Sequence, residues 1–416
     1  MAEGKRRFHW AWVILSICFG ILFINYSVRL GYGVVMPEMI RTLGFGRAAS
    51  GTIYNSYLFV YIAVTPFTGY LTDRLGARRV ITVCLLILGL GTFLMGTAQN
   101  LRKASLFFAL TGLGASGIWT PVLTIVQRWF AHHRRGFAMG LVATGYGLGF
   151  ATMGVVFPWI VANFNWRYAW FFLGGMAFVM VFLSGIWLRS EPGGSGLKPW
   201  GHQESSGLKG ISPAIDKKRI PLKTLFRNSQ FWIIGVSYFA ITYSCYGITT
   251  FMVDYAKYQL GMPLEKAAFL ATIHGIGQII GVLTILPLSD FLGRKKTIII
   301  SNAFIGVSLI GILAFGHMWG WLYVFIGCLG IFYGVTFPIY GLCAGDYFPQ
   351  EAIGTVIGAW TPFYGSGAII AHWVTGILRD KTGVYDQGFM IFIVTAAAGV
   401  LLMCLVKKVQ NSSLRT

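Results

Sequence analysis

Apolar residues run together along this chain in stretches of about twenty, long enough to cross roughly 30 Å of hydrocarbon as helix. Read at that length, the spans are 10–38, 49–71, 80–98, 104–127, 138–162, 168–188, 231–255, 267–289, 298–317, 321–344, 355–378 and 388–406. Short charged or Gly/Pro-containing links separate them. The pattern predicts an all-α membrane protein of twelve transmembrane helices. The long polar stretch at 189–230, with Gly193-Gly194-Ser195-Gly196, Pro199 and the basic run Lys217-Lys218-Arg219, reads as a cytoplasmic linker. It parts an N-terminal six-helix bundle, 1–188, from a C-terminal one, 231–416.

The two halves repeat. Gly69-Tyr-Leu-Thr-Asp73-Arg74-Leu-Gly76-Ala-Arg78-Arg79 closes the second span, and Leu286-Pro-Leu-Ser-Asp290-Phe-Leu-Gly293-Arg294-Lys295-Lys296 closes the eighth, with acid, glycine and basic pair matched at an offset of 217. A second match sets Arg128-Trp129-Phe130, Gly136 and Gly140 against Asp346-Tyr347-Phe348, Gly354 and Gly358 at an offset of 218. Matched half-chains imply duplication and a pseudo-two-fold axis along the membrane normal. An acid at a helix end, a glycine for a tight turn and a basic pair suit a short cytoplasmic link that locks and releases as the halves rock. The plainer reading is a positive loop that sets topology.

Composition agrees with the span pattern. The chain of 416 residues is 56% hydrophobic and 11% charged, against about a quarter charged in a soluble domain, and its mean hydropathy is +0.67. The net charge of +20 first suggests nucleic acid. With a cytoplasmic N-terminus, however, 23 of the 33 Lys and Arg fall on the inner side, 9 on the outer side, and one, Arg29, inside a span. That is positive-inside bias, and it argues against a nucleic-acid partner. The basic start, Lys5-Arg6-Arg7, precedes an apolar run too long for a signal peptide, so the first span stays as a membrane helix. The six cysteines lie in or beside apolar spans without paired spacing, as small hydrophobes. No metal, cofactor or nucleotide-binding motif is expected, and no acid/base constellation points to an enzyme.

The sequence resembles the major facilitator superfamily over essentially its full length, through the Gly69-to-Arg79 motif, its copy at 286–296 and the basic central loop. The resemblance implies two six-helix domains, a central cavity opening alternately to either side, and both termini in the cytoplasm. Gln127-Arg128-Trp129-Phe130 through Gly140, then Ala143-Thr144-Gly145-Tyr146-Gly147-Leu148-Gly149, is similar to the monocarboxylate and oxalate/formate branch. Asn25-Tyr26-Ser27-Val28-Arg29 and Asn165-Trp166-Arg167-Tyr168-Ala169-Trp170-Phe171 are similar to the organic anion:cation symporters. The chain departs from both branches. Val282 stands where the first carries an arginine, the eleventh span has no lysine, and Thr124 or a neighbour stands where the second has its helix-four arginine. Arg29 is thereby left with more of the anion binding.

An arginine at membrane depth costs at least a few kcal/mol unless it faces water, a partner or a ligand. Helical spacing sets Asn25, Arg29 and Tyr32 or Gly33 along one face, and a guanidinium matches a carboxylate by a two-point fork. Alternatively Arg29 snorkels outward, or pairs with Glu38 or Asp254. Gly31, Gly33 and Pro37 loosen the helix beyond it, whereas Gly112, Gly114 and Gly117, and Gly145, Gly147 and Gly149, suit close helix packing.

Candidates in the second half are Tyr243, Tyr246 and Asp254 of helix seven, His274 and Gln278 of helix eight, Tyr333 and Tyr340 of helix ten, and Trp360, Tyr364 and His372 of helix eleven. The offset of 217 makes Tyr246 the counterpart of Arg29. Tyrosines close over a small ligand by hydrogen bond and apolar contact, or serve in interhelical packing. His274, Asp254 and His372 are the proton-coupling candidates, and His132 and His133 are assigned no chemistry.

The expectation is a secondary transporter of a small monocarboxylate-like organic anion, proton-coupled and monomeric, in contact with lipid in a bacterial inner membrane. Arg29, Asn25, Tyr32 and Tyr146 would bind from the first half, and Tyr246, Gln278, Tyr333 and Tyr364 from the second. An exporter of apolar drugs is the alternative within transport; a membrane enzyme or a non-transporting receptor lies outside it.

Overall fold

The computed structural model describes residues 9–193, 197–201, 226–349 and 353–407, apart from the side chains of Asp73, His132 and His133. Most of the 189–230 linker, including Lys217-Lys218-Arg219, and the Lys5-Arg6-Arg7 segment lie outside that set. The first half holds α1 (Trp10–Leu43), α2 (Arg47–Leu75), α3 (Ala77–Met95), α4 (Leu101–Ala115), α5 (Trp119–Trp129), α6 (His132–Asn163) and α7 (Trp166–Trp187). The second holds α8 (Ser229–Tyr258), α9 (Leu264–Leu292), α10 (Arg294–Phe315), α11 (Trp319–Tyr347), α12 (Ile353–Thr382) and α13 (Asp386–Leu405).

Each expected span is found as helix. Several helices run a turn or more beyond the apolar stretch, because hydrocarbon thickness limits the apolar run and not the helix. The span expected at 104–127 is two helices, α4 and α5, parted at Ser116-Gly117-Ile118. Pro121, in the first turn of α5, accounts for the break: it brings no N–H to the Gly117 carbonyl four residues back, and its ring crowds that carbonyl. Ten spans are long and apolar enough by themselves to cross a membrane. The other two are α2, rich in Ser, Thr and Tyr, and α12, whose apolar run is diluted by glycine, Tyr364 and His372.

The chain divides into two compact units, Met1–Leu43 with Ile53–Lys209, and Gly44–Thr52 with Gly210–Thr416. Inside each, the same helix pairs meet. In the first, α1 packs on α6 and α7, and α3 on α4 and α7; in the second, α8 packs on α12 and α13, and α10 on α11 and α13. The repeat seen in sequence is thus a repeat of packing.

Glycine sets the closest of these approaches. A Cβ on Gly112 of α4 would overlap the Tyr57 carbonyl oxygen of α2, so the two backbones touch. In the second unit a Cβ on Gly330 of α11 would overlap the His274 carbonyl of α9, and one on Gly334 that of Gln278. Gly281 is tighter still, with the Ile331 carbonyl oxygen standing where its Cβ would go. In lipid no water drives helices together, and small residues let the backbones come close enough for dispersion to do so.

The loop motif is visible in both units. Gly76 and Gly293 have φ of +84° and +87°, the left-handed backbone that glycine adopts without strain. Each ends one helix and begins the next: Gly76 N–H donates to Thr72 O and its carbonyl accepts from Val80, as Gly293 does with Ser289 and Thr297. The basic pair then reaches the last helix of its own unit. The Arg78 guanidinium donates to Gly185 O near the end of α7, while Lys295 Nζ donates to Cys404 O at 3.2 Å and Val406 O at 2.5 Å beside the end of α13. A cation on terminal carbonyls satisfies orphan acceptors and the negative end of the helix dipole.

Gly44–Thr52, the α1–α2 connection and the first turns of α2, clusters with the second unit. There the Asp380 carboxylate of α12 accepts the backbone N–H groups of Arg47 and Ala48, each at 2.9 Å, capping α2 from another helix. Arg47 Nε donates to Asp254 Oδ2 at 3.1 Å, and the phenol of Tyr385 donates to the same oxygen of this fully buried acid. Burial, and then the Asp254 charge, push the Tyr385 hydroxyl well above its ordinary range, so it remains a donor.

Two outcomes follow for stability. Gly281→Val lowers the apparent melting temperature in detergent, from an overpacking cost of about 1–3 kcal/mol or more, whereas Gly320→Ala, with nothing within 4 Å of its Cβ, leaves it near wild type. Arg47→Gln strands a buried carboxylate, and at a side-chain exposure of 21% its cost falls at the low end of the buried range, about 3 kcal/mol. Arg47→Gln/Asp254→Asn loses less than the two single variants together, and strictly additive losses would show that the pair is not coupled.

Candidate functional site

In the first unit Arg29, on α1, is a buried cation, 3% exposed. Its guanidinium carbon lies 5.2 Å from the centre of the Tyr61 ring, 5.8 Å from Tyr57 and 6.0 Å from Tyr26. Ring faces carry negative quadrupole density, so three phenols help hold a cation that has left water. Tyr146 of α6 stands edge-on to Tyr26 at 4.4 Å and extends the ring lining, and Trp119 of α5 is 6.0 Å from the same ring. Asn25, one turn before Arg29, is buried, and its amide oxygen has no hydrogen-bond partner.

Tyr32 is placed elsewhere. It packs in a ring cluster with Phe108 at 5.1 Å, Tyr54 at 5.4 Å and Trp170 at 6.3 Å. Glu38 pairs with Arg41 at 2.9 Å, and in the second unit Asp254 pairs with Arg47.

Tyr57 and Tyr61, which supply two of the three rings, are not among the sequence candidates. The repeat carries the signal that finds them. At the offset of 217 that pairs the two loop motifs, Tyr57 falls on His274 and Tyr61 on Gln278. The backbone contacts agree, since Gly112 meets the carbonyl of Tyr57 as Gly330 meets that of His274.

In the second unit the structure brings together most of the named residues. Tyr246 and Tyr364 share a hydroxyl–hydroxyl bond of 2.7 Å. Tyr364 is also the counterpart of Tyr146 at the offset of 218. Tyr246 is 6.4 Å from Tyr333 and 6.2 Å from His372 between ring centres, and Phe337 fills the space among Tyr246, Tyr333 and Tyr364. His274 lies edge-on to Tyr333 at 4.9 Å. The Gln278 amide nitrogen stands 2.7 Å from His274 Nδ1; as donor it leaves the imidazole proton on Nε2. His372 Nε2 is 2.9 Å from Thr250 Oγ1, one turn before Asp254.

Other candidates serve packing. The Tyr340 hydroxyl bonds Ser237 at 2.8 Å and Asn302 at 3.2 Å, the Trp360 indole donates to Phe231 O at 3.0 Å, and Tyr243 lies against Phe392. Asp254 belongs to the clamp on the start of α2. In the loop motif, Arg294 bonds Ser289 and Asp290, the Arg74 guanidinium lies 5.0 Å from the Tyr70 ring, and Arg79 is exposed. A Cβ on Gly69 would meet nothing within 4 Å, and the side chain of Asp73 lies outside the described residues. Among the described residues no three His, Cys, Asp or Glu stand close enough to hold a metal ion.

Comparison with known proteins adds the family. The model of the Major Facilitator Superfamily matches residues 15–268 and 234–415. The chain is 25% identical over 406 residues to a probable sulfoacetate transporter of Cupriavidus necator, covering 95% of this chain and 94% of the relative. It is 26% identical over 417 residues to monocarboxylate transporter 4 of Rattus norvegicus, covering 97% and 83%. Among solved structures it shares the fold of a mutant form of the nucleoside transporter NupG, with a TM-score of 0.72 at 14% identity over 94% of this chain and 98% of that one. Two six-span halves, a loop glycine in left-handed backbone at both motif turns and a family match across both halves lead to one conclusion: the chain belongs to the Major Facilitator Superfamily of membrane transporters.

Proposed function

We propose that this protein is a secondary active transporter of a small, monocarboxylate-like organic anion, coupled to protons and working by alternating access. The observation that carries the reading is Arg29, a guanidinium at membrane depth among three phenol rings. Such a group is costly to bury and is retained where it does work on a substrate. Monocarboxylate transporter 4, named for singly charged acids, supports the monocarboxylate-like class, and the probable sulfoacetate transporter, named for a doubly charged one, supports only the wider class of small organic anions. Tyr246, Tyr333, Tyr364 and Gln278 of the second unit contribute hydrogen bonds and ring contacts to the anion, and Asn25 and Tyr146 contribute from the first. His274 and His372 are the proton-coupling groups; Asp254 joins them only when Arg47 has let go. The loop motifs at Gly76 and Gly293 act as inner hinges, with Arg78 and Lys295 making and breaking the caps on α7 and α13. The two domains are 1–188 and 231–416, and the protein works as a monomer in a bacterial inner membrane with both termini cytoplasmic.

Uptake into proteoliposomes tests the anion site. With acid outside, wild type accumulates a labelled monocarboxylate; Arg29→Gln cuts the rate at low substrate about 10- to 100-fold, the loss of one charged hydrogen-bond donor. Arg29→Lys falls between, because an ammonium is a point charge without the fork. Equal uptake by wild type and Arg29→Gln would refute the site. His274→Ala loses stimulation by the proton gradient but keeps downhill exchange; undiminished acid-driven uptake would remove His274 from coupling. Reporter fusions at each end check the topology, and an external signal at either end would reverse it.

A further inference from the structure

Tyr57 is fully buried on α2, and its hydroxyl has no hydrogen-bond partner. An orphan O–H in an apolar interior is unfavourable and marks a place where water or a ligand belongs. Its position is not adjustable, because Gly112 holds the backbone of α2 against α4 at this residue. The ring centre is 5.8 Å from the Arg29 guanidinium carbon, and Tyr61 stacks on Tyr57 at 6.0 Å, closing the side one turn away. A guanidinium and a phenol on neighbouring side chains can each donate to one oxygen of a carboxylate seated between them.

Charge narrows the ligand further. Among the described residues Arg29 is the one lysine or arginine that is buried. A dianion would bring a second negative charge with no fixed cation to meet it, and an uncompensated charge in low dielectric is strongly disfavoured. The rings of Tyr26, Tyr57 and Tyr61 stand around the Arg29 guanidinium. Rings of this kind replace the hydration of an apolar or aromatic body, not that of a body covered in hydroxyls.

We infer that Tyr57 is a specificity-determining residue, donating its hydroxyl to the carboxylate held by Arg29, and that the seat selects a singly charged carboxylate on an apolar or aromatic body over dianions and sugar acids. This rests on the anion reading above and sharpens it.

Calorimetric titration of the purified protein with benzoate, terephthalate and glucuronate separates the claims. Terephthalate keeps the ring and adds a charge; glucuronate keeps one charge and exchanges the ring for hydroxyls. Benzoate is expected to bind wild type at least about 10-fold more tightly than either competitor, and Tyr57→Phe to weaken benzoate about 10-fold with its ligand-free melting temperature unchanged. Benzoate binding that survives Arg29→Gln would overturn the anion site itself. Binding that is lost in Arg29→Gln but unaltered in Tyr57→Phe, or terephthalate or glucuronate binding as tightly as benzoate, would overturn this inference while leaving the anion site standing. Should Tyr57→Phe melt early, the comparison of the three ligands on wild type still decides the class.

Discussion

Where α4 crosses α2 there is no room for a side chain. Gly112 lies against the carbonyl of Tyr57, and the second unit repeats the contact with Gly330 against the carbonyl of His274. Backbones in direct contact cannot slide or rotate without a clash, so the side chains beside the crossing inherit its rigidity. Tyr57 and Tyr61 are thereby held beside Arg29, and His274 and Gln278 beside Tyr333. The chemistry of both units depends on a feature with no chemistry of its own.

Two of the buried charges, Asp254 and Arg29, stand in different surroundings. Asp254 is met by a guanidinium and a phenol, a closed arrangement in which the acid serves to hold the first turns of α2. Arg29 has the rings of Tyr26, Tyr57 and Tyr61 around its guanidinium, and ring faces stabilise a cation from the side. Ring contact is weaker than an ion pair and does not fix the guanidinium in one geometry. On the anion reading proposed above, a residue that binds and releases cargo gains from that difference, and a clamp does not.

The motif loops show how little sequence a repeated device needs. A glycine in left-handed backbone turns one helix into the next at both positions, and the cation two residues later reaches the open carbonyls of the last helix in its unit. Arg78 and Lys295 differ in chemistry but share this target, because a helix end asks only for positive charge and donors.

Much of this architecture was legible along the chain. The hydrocarbon core demands apolar runs of set length, so the spans could be counted, and duplication left the loop motif at two places 217 residues apart. Arg29 stood out because a charge in such a run needs a reason. Helical periodicity, however, says which face a residue occupies and not which helix lies opposite. That Tyr32 would turn into the cluster of Tyr54, Phe108 and Trp170, that Tyr57 and Tyr61 would come to Arg29 from α2, and that Asp254 would meet Arg47 depended on how neighbouring helices pack. Composition and period determined the number of spans and where along the chain they lie, through the thickness of the membrane; only packing in three dimensions, through glycine contacts between helices distant in sequence, decided which side chains meet.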